Sequence, residues 1–131
     1  MSGIRICGLT VVLALLTLVM PTRAIRPRPS PPVTVTAWPQ VVLAGPHVVV
    51  RVTVSVLRHP DNRGVYLQWW IGDRGEQGLS YWSIDGDSPV QHVRYVRYVR
   101  HPGALVIRAT LVREIGGRAR GYKAETTVEV R

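Results

Sequence analysis

Cysteine occurs once in the 131 residues, at Cys7, and lysine once, at Lys123. Cys7 precedes a short apolar block instead of closing it, so it does not suit a lipoprotein attachment site, and it has no cysteine to pair with. Without a disulfide the fold must be held by its core alone, which a chain of this length can manage. Acidic residues are also scarce, 8 against 17 lysines and arginines, for a formal net charge of +9. Nearly all the positive charge is therefore arginine, whose planar guanidinium suits carboxylate, phosphate or sulfate. A coding bias towards arginine is the competing account. Charge of this kind speaks to solubility and nonspecific attraction, not to fold.

Catalytic patterns are missing too. None of Ser30, Ser55, Ser80, Ser83 or Ser88 sits in a Gly-x-Ser-x-Gly elbow. His47, His59, His92 and His101 are scattered without zinc-ligand spacing. Asp73 and Glu76 are close in sequence, but a lone carboxylate pair in a turn is not an acid-base couple. Asp85-Gly86-Asp87-Ser88 reads as a plain turn, with too few oxygen ligands at set positions for an EF-type calcium loop. An enzyme is not expected, and neither is a metal or other cofactor.

The N-terminus has a basic start at Arg5, a twelve-residue apolar block from Leu9 to Met20, and small residues around Thr22-Arg23-Ala24. The block is shorter than the roughly 17–25 residues that cross a bilayer, so residues 1–24 are expected to be an export signal cleaved after Ala24. A retained anchor is the competing reading, because Arg23, Arg26 and Arg28 flank the far side. Removing Arg5 and Arg23 leaves 15 basic against 8 acidic residues, a formal charge of about +7 and no cysteine. Residues 25–32, IRPRPSPP, hold four prolines and form a stiff spacer.

From 33 to 131 there is no sustained 3.6-residue apolar period, only short β-branched runs bounded by Gly, Pro, Asn and Asp. Strands are expected at 33–37 (continuing through 41–43), 48–57, 65–71, 79–84, 90–99, 104–113 and 122–130. Val50, Val52, Val54 and Val56 alternate with Arg51, Thr53 and Ser55, as a half-buried strand requires. Leu67, Trp69 and Ile71 share a face, as do Leu105, Ile107, Ala109 and Leu111, while Gly116 and Gly117 occupy a turn. Seven strands with a tryptophan on the third predict an all-β, immunoglobulin-like antiparallel β-sandwich.

Residues 69–75, WWIGDRG, resemble the W-D-F-G-D-G end of the third strand in the polycystic-kidney-disease-type (PKD) domain, an immunoglobulin-like module of extracellular proteins. Trp70 stands where that family has Asp, and Arg74 is inserted in the turn. Upstream, VTVSVLRHPDNRGVYLQW resembles the family's second strand, turn and approach to the tryptophan. Downstream, YVRHPGALVIRATL and TTVEV resemble its later strands. The resemblance covers most of 33–131 and implies an extracellular scaffold or binding module.

The run VRYVRYVR, 93–100, repeats every three residues, a spacing that fits neither strand nor helix. On a regular strand it leaves both faces mixed, so it requires either a bulge near Val96, bringing Val93 and Tyr98 to the core, or an edge strand whose charges discourage aggregation. The functional alternative is a binding stripe of Arg94, Tyr95, Arg97, Tyr98 and Arg100. Trp70, Tyr81 and Trp82 form a second aromatic group. Trp70, next to an inward Trp69, points outward unless a neighbouring strand or loop covers it.

These residues predict a non-catalytic module, secreted, periplasmic or at the cell surface, that is structural or binds a protein partner through sheet edges or aromatic anchors. The alternative is a sandwich that binds anionic or neutral polysaccharide through the same aromatics and arginines. Nucleic acid is not expected as a partner, nor is a membrane span once the signal is removed.

Overall fold

The computed structural model describes residues 29–72, 76–86 and 90–131. The expected signal segment, residues 25–28 of the spacer, and the turn residues 73–75 and 87–89 lie outside the described residues. The fold is all-β, and among the described residues no helix is long and apolar enough to cross a membrane.

Eight strands are described: β1 Val33–Trp38, β2 Val41–Val42, β3 Val49–Val56, β4 Asn62–Ile71, β5 Gln77–Ser83, β6 Val90–Arg97, β7 Gly103–Ile115 and β8 Arg118–Val130. They form a three-stranded sheet in the order β1-β3-β6 and a five-stranded sheet in the order β2-β8-β7-β4-β5. All pairings are antiparallel except β2 with β8. Of residues 41–43, expected to continue the first strand, Val41 and Val42 instead join the other sheet and Leu43 lies in no strand. Pro39 has no N–H for a ladder, and beyond it Gln40 and Val42 accept hydrogen bonds at 2.8 Å from the N–H groups of Glu129 and Arg131.

Alternation builds the core. Val50, Val52, Val54 and Val56 of β3 and Val33 and Val35 of β1 share one buried cluster with Val65, Leu67 and Ile71 of β4, Leu105, Ile107, Ala109 and Leu111 of β7, and Val128 and Val130 of β8. Two sheets thus enclose one core, as a sandwich must. Twelve of the nineteen buried apolar residues are valine; their stiff, β-branched side chains suit a pleated surface. Trp82, from the edge strand β5, supplies aromatic bulk.

The β7–β8 hairpin closes through Gly116 and Gly117, at φ 58° and 77°, between the paired residues Ile115 and Arg118. Two positive φ values in a two-residue loop are the type I′ geometry that matches strand twist, and glycine adopts them without a Cβ penalty. Near the same end of the sheet, buried Asn62 ties the β3–β4 connection to β7. Its Nδ2 donates to the Leu57 carbonyl and its Oδ1 accepts from Arg113 Nε, both at 2.8 Å.

Candidate binding surfaces

Strand β6 pairs with β3 in unbroken register from 90 to 97, so no bulge falls near Val96; the register shift found in the described strands lies in β4, between Asn62 and Gly64. Directly opposite residues of an antiparallel pair share a face. Val96 lies opposite Val50, Arg94 opposite Val52 and His92 opposite Val54, which puts all three on the inner face. Val93, Tyr95 and Arg97 therefore lie on the outer face.

The three-residue repeat is resolved one step later. Tyr98 has φ 61°, in the left-handed region, and this single residue resets the pleat so that Val99 is buried three positions after buried Val96. The expectation that Val93 and Tyr98 reach the core is corrected: Val93 is half-buried on the outer face, and Tyr98 is 64% exposed. The edge-strand reading does describe β6, which ends its sheet, and Arg94 is its inward-pointing charge.

Trp82 is also corrected. It pairs across β4 with buried Val65 and is only 8% exposed, so it is a core residue and not a surface anchor. Arg94 lays its guanidinium over the Trp82 ring at 5.0 Å, and the His92 ring packs tilted against the same indole, the centroids 4.9 Å apart. Arg94 is exposed, so the guanidinium that covers the ring on one side stays open to water on the other. Burial, and then the positive charge of Arg94, hold the His92 pKa below its ordinary value.

The outer face of the three-stranded sheet holds a different set. Register places Trp38 opposite Arg51 and Arg51 opposite Tyr95, one row across all three strands. Arg97 adjoins this row with its guanidinium 5.3 Å from the Tyr95 ring centre. Trp38 is 73% exposed, and Tyr95, Arg51 and Arg97 are exposed as well. Strands β1, β3 and β6 contain no Asp or Glu. Among the described residues, neither Arg51 nor Arg97 meets a carboxylate; the ion pairs lie elsewhere. Sequence reading missed Trp38 and Arg51. Their outward positions were available from alternation, but the row they form with Tyr95 depends on which strands pair, which alternation does not specify.

The outer face of the five-stranded sheet is more apolar. Tyr66 lies opposite both Tyr81 and Thr110, Gln68 opposite Leu79 and Arg108, and Trp70 opposite Gln77 and Val106. Tyr66 and Tyr81 stack at 4.6 Å, with Tyr81 reaching over Gly64, where any Cβ would collide with its ring. Leu79 is 65% exposed. Trp70 points outward as expected, but it is half-buried: Arg108 covers its ring at 5.0 Å while bonding Glu125 at 2.5 Å.

The last two residues of the expected stripe leave the sheet. Tyr98 and Arg100 line a depression of about 350 Å³ with Gly45 and Pro46. The eight expected residues thus divide among four places: Tyr95 and Arg97, Trp70 and Tyr81, Arg94 and Trp82, and Tyr98 and Arg100.

Next to Arg100, both carboxylate oxygens of Glu76 accept its backbone N–H at 3.1 Å, and Glu76 also pairs with His101 Nδ1. Burial raises the Glu76 pKa, but the Arg100 N–H and then the hydrogen bond and charge of His101 outweigh it and leave the pKa lowered. This contact ties the start of β5 to the β6–β7 connection. Among the described residues, no three His, Cys, Asp or Glu side chains gather where they could hold a metal ion. Compared with protein-family models and with curated proteins, the chain matches no family and no curated sequence.

Proposed function

We propose that this chain is an exported, non-catalytic module of immunoglobulin-like, PKD-type architecture that works at the cell envelope or outside the cell by binding a protein partner. The strand orders β1-β3-β6 and β2-β8-β7-β4-β5, with the first strand region divided between the sheets at Pro39, support the immunoglobulin-like assignment. The resemblance of 69–72 to the PKD third strand supports the narrower one. Export rests on the basic start, short apolar block and small residues of 1–24.

The observation that carries partner binding is the outer face of the five-stranded sheet. Tyr66, Leu79 and Tyr81 are exposed side by side, continued by half-buried Trp70 and Val106 and bordered by Gln68, Gln77 and Lys123. A contiguous apolar patch with a polar rim favours a protein contact, and tyrosine and tryptophan are the side chains that most often anchor one.

A photoreactive amino acid introduced singly at Leu79, at Tyr81 and at Arg118 in the producing cells tests this. Discrete protein adducts from 79 and 81, absent from the hairpin-tip position 118, are expected. Adducts equal at all three positions, or none at 79 and 81, would reject the reading.

A further inference from the structure

We infer that the outer face of the three-stranded sheet is a second, separate binding surface, a platform for an acidic polysaccharide built of uronic-acid units. Its parts are Trp38, Arg51, Tyr95 and Arg97.

The row Trp38-Arg51-Tyr95 crosses three adjacent strands in register. With strands about 4.8 Å apart, the two aromatic residues stand roughly 10 Å from one another, with Arg51 on the strand between them. Arg97 adds a second guanidinium, placed over one face of the Tyr95 ring and leaving the residue 53% exposed. The surface therefore combines two stacking planes with two cations, three of the four residues in one row across the strands and Arg97 beside it along β6. An uncharged ligand would use only the rings, and a bare anion only the arginines; the combination calls for a ligand that carries both a flat apolar face and negative charge beside it.

A pyranose ring stacks its C–H face on indole or phenol. In a uronic acid the carboxylate is equatorial and lies in the plane of the ring, so a sugar seated on Trp38 or Tyr95 directs its charge sideways along the sheet towards Arg51 or Arg97. The guanidinium fork matches a carboxylate bidentately. Thr36 and Thr53, the next outward pair in register, place hydroxyls beside the row for the sugar's own hydroxyls.

Charge complementarity favours this face. All eight acidic residues lie outside β1, β3 and β6, whereas Arg108 on the other sheet is already paired with Glu125. Among the described residues Arg51 and Arg97 form no ion pair and so are open to an external anion, and Trp38, at 73%, is the most exposed of the described aromatic side chains.

The test is affinity electrophoresis and titration calorimetry of the full protein with polygalacturonate, beside neutral dextran, dextran sulfate, polyphosphate, polyglutamate and a single-stranded oligonucleotide. Variants are Trp38→Ala, Tyr95→Ala and the double change Arg51→Lys with Arg97→Lys, each checked for an unchanged thermal transition. Polygalacturonate is expected to bind and to remain bound at 0.3 M salt, where the screening length is roughly 6 Å. Each aromatic truncation should weaken binding roughly tenfold. The double lysine variant should lose binding although its net charge is unchanged, because lysine lacks the planar fork.

Binding that is equal for dextran sulfate, polyphosphate and the oligonucleotide and vanishes with salt would reduce the face to diffuse charge and overturn the proposal. Preference for polyglutamate would assign the face to an acidic protein segment. Full binding by Trp38→Ala and Tyr95→Ala would also overturn it. None of these outcomes touches the protein-partner reading, whose crosslinking positions lie on the other sheet.

Discussion

Arg94 holds its guanidinium 5.0 Å from the centre of the Trp82 ring, and the two residues come from the edge strands of different sheets, β6 and β5. Strand edges carry unpaired N–H and C=O groups that invite pairing with another chain, and an inward-pointing charge is one of the devices that prevents it. The contact thus links the sheets along one side while keeping a cation at an exposed edge. Arg94→Met, which retains the apolar stem but not the charge, is expected to cost about 0.5–1 kcal/mol and to increase self-association. Denaturant unfolding and sedimentation velocity check this. A Met variant as stable and as dispersed as the parent would remove Arg94 from both roles.

Asn62 is expected to be the most sensitive polar position. It is 1% exposed and serves one acceptor and one charged donor, Leu57 O and Arg113 Nε. Asn62→Ala leaves a carbonyl and a guanidinium without their partner, at a cost of about 2–4 kcal/mol. Asn62→Asp keeps the Arg113 contact but loses the donor to Leu57, so it should fall between the parent and Ala near neutral pH. Thermal and denaturant unfolding measure both. An Ala variant within experimental error of the parent would contradict the hub role.

Strand identity was legible wherever one face is buried. Val50 to Val56 and Leu105 to Leu111 declare their faces because a core-facing strand must alternate. Pairing was not legible: nothing local to Trp38, Arg51 or Tyr95 specifies that β1, β3 and β6 lie side by side, yet that adjacency makes the row. The repeat 93–100 misled for a related reason. Its period comes from a backbone conformation at Tyr98 that is unusual for a bulky residue, and sequence patterns assume ordinary strand backbone. Trp82 misled because an aromatic run on an edge strand looks alike whether its members face water or core.

The left-handed backbone of Tyr98 carries its own prediction. For a residue with a Cβ this conformation costs about 1–2 kcal/mol, which glycine avoids. It persists here because Val99 is fully buried and because its carbonyl accepts from Gly45 N–H at 2.8 Å. Tyr98→Gly is therefore expected to keep the fold and raise its stability by up to about 1 kcal/mol, the gain being reduced by glycine's freedom in the unfolded chain. Tyr98→Val, with a β-branched side chain, should lower stability. If Gly and Val destabilise alike, the ring and not the backbone is what matters at this position.

Acidification should weaken the fold in two separate windows. The folded-state pKa of His92 lies below its ordinary 6.5, through burial and then through Arg94, so the unfolded chain takes up a proton first. Stability is then highest above about pH 6.5 and declines as pH falls from there towards the folded-state pKa. The groups facing His92 are Trp82 from β5, Val54 from β3 and Arg94 on its own strand, of which only Arg94 is charged. Glu76 acts lower on the scale. Its folded-state pKa lies below 4.5 because the Arg100 N–H and His101 outweigh its burial, so its contribution is present above that value and is lost as pH falls through the folded-state pKa. Melting temperatures between about pH 8 and about pH 3, which bracket both ordinary pKa values, separate the two. His92→Leu should remove the decline that begins near pH 6.5 and keep the acidic one, whereas Glu76→Gln should do the reverse. A His92→Leu profile that still declines in the upper window would assign that step to another group.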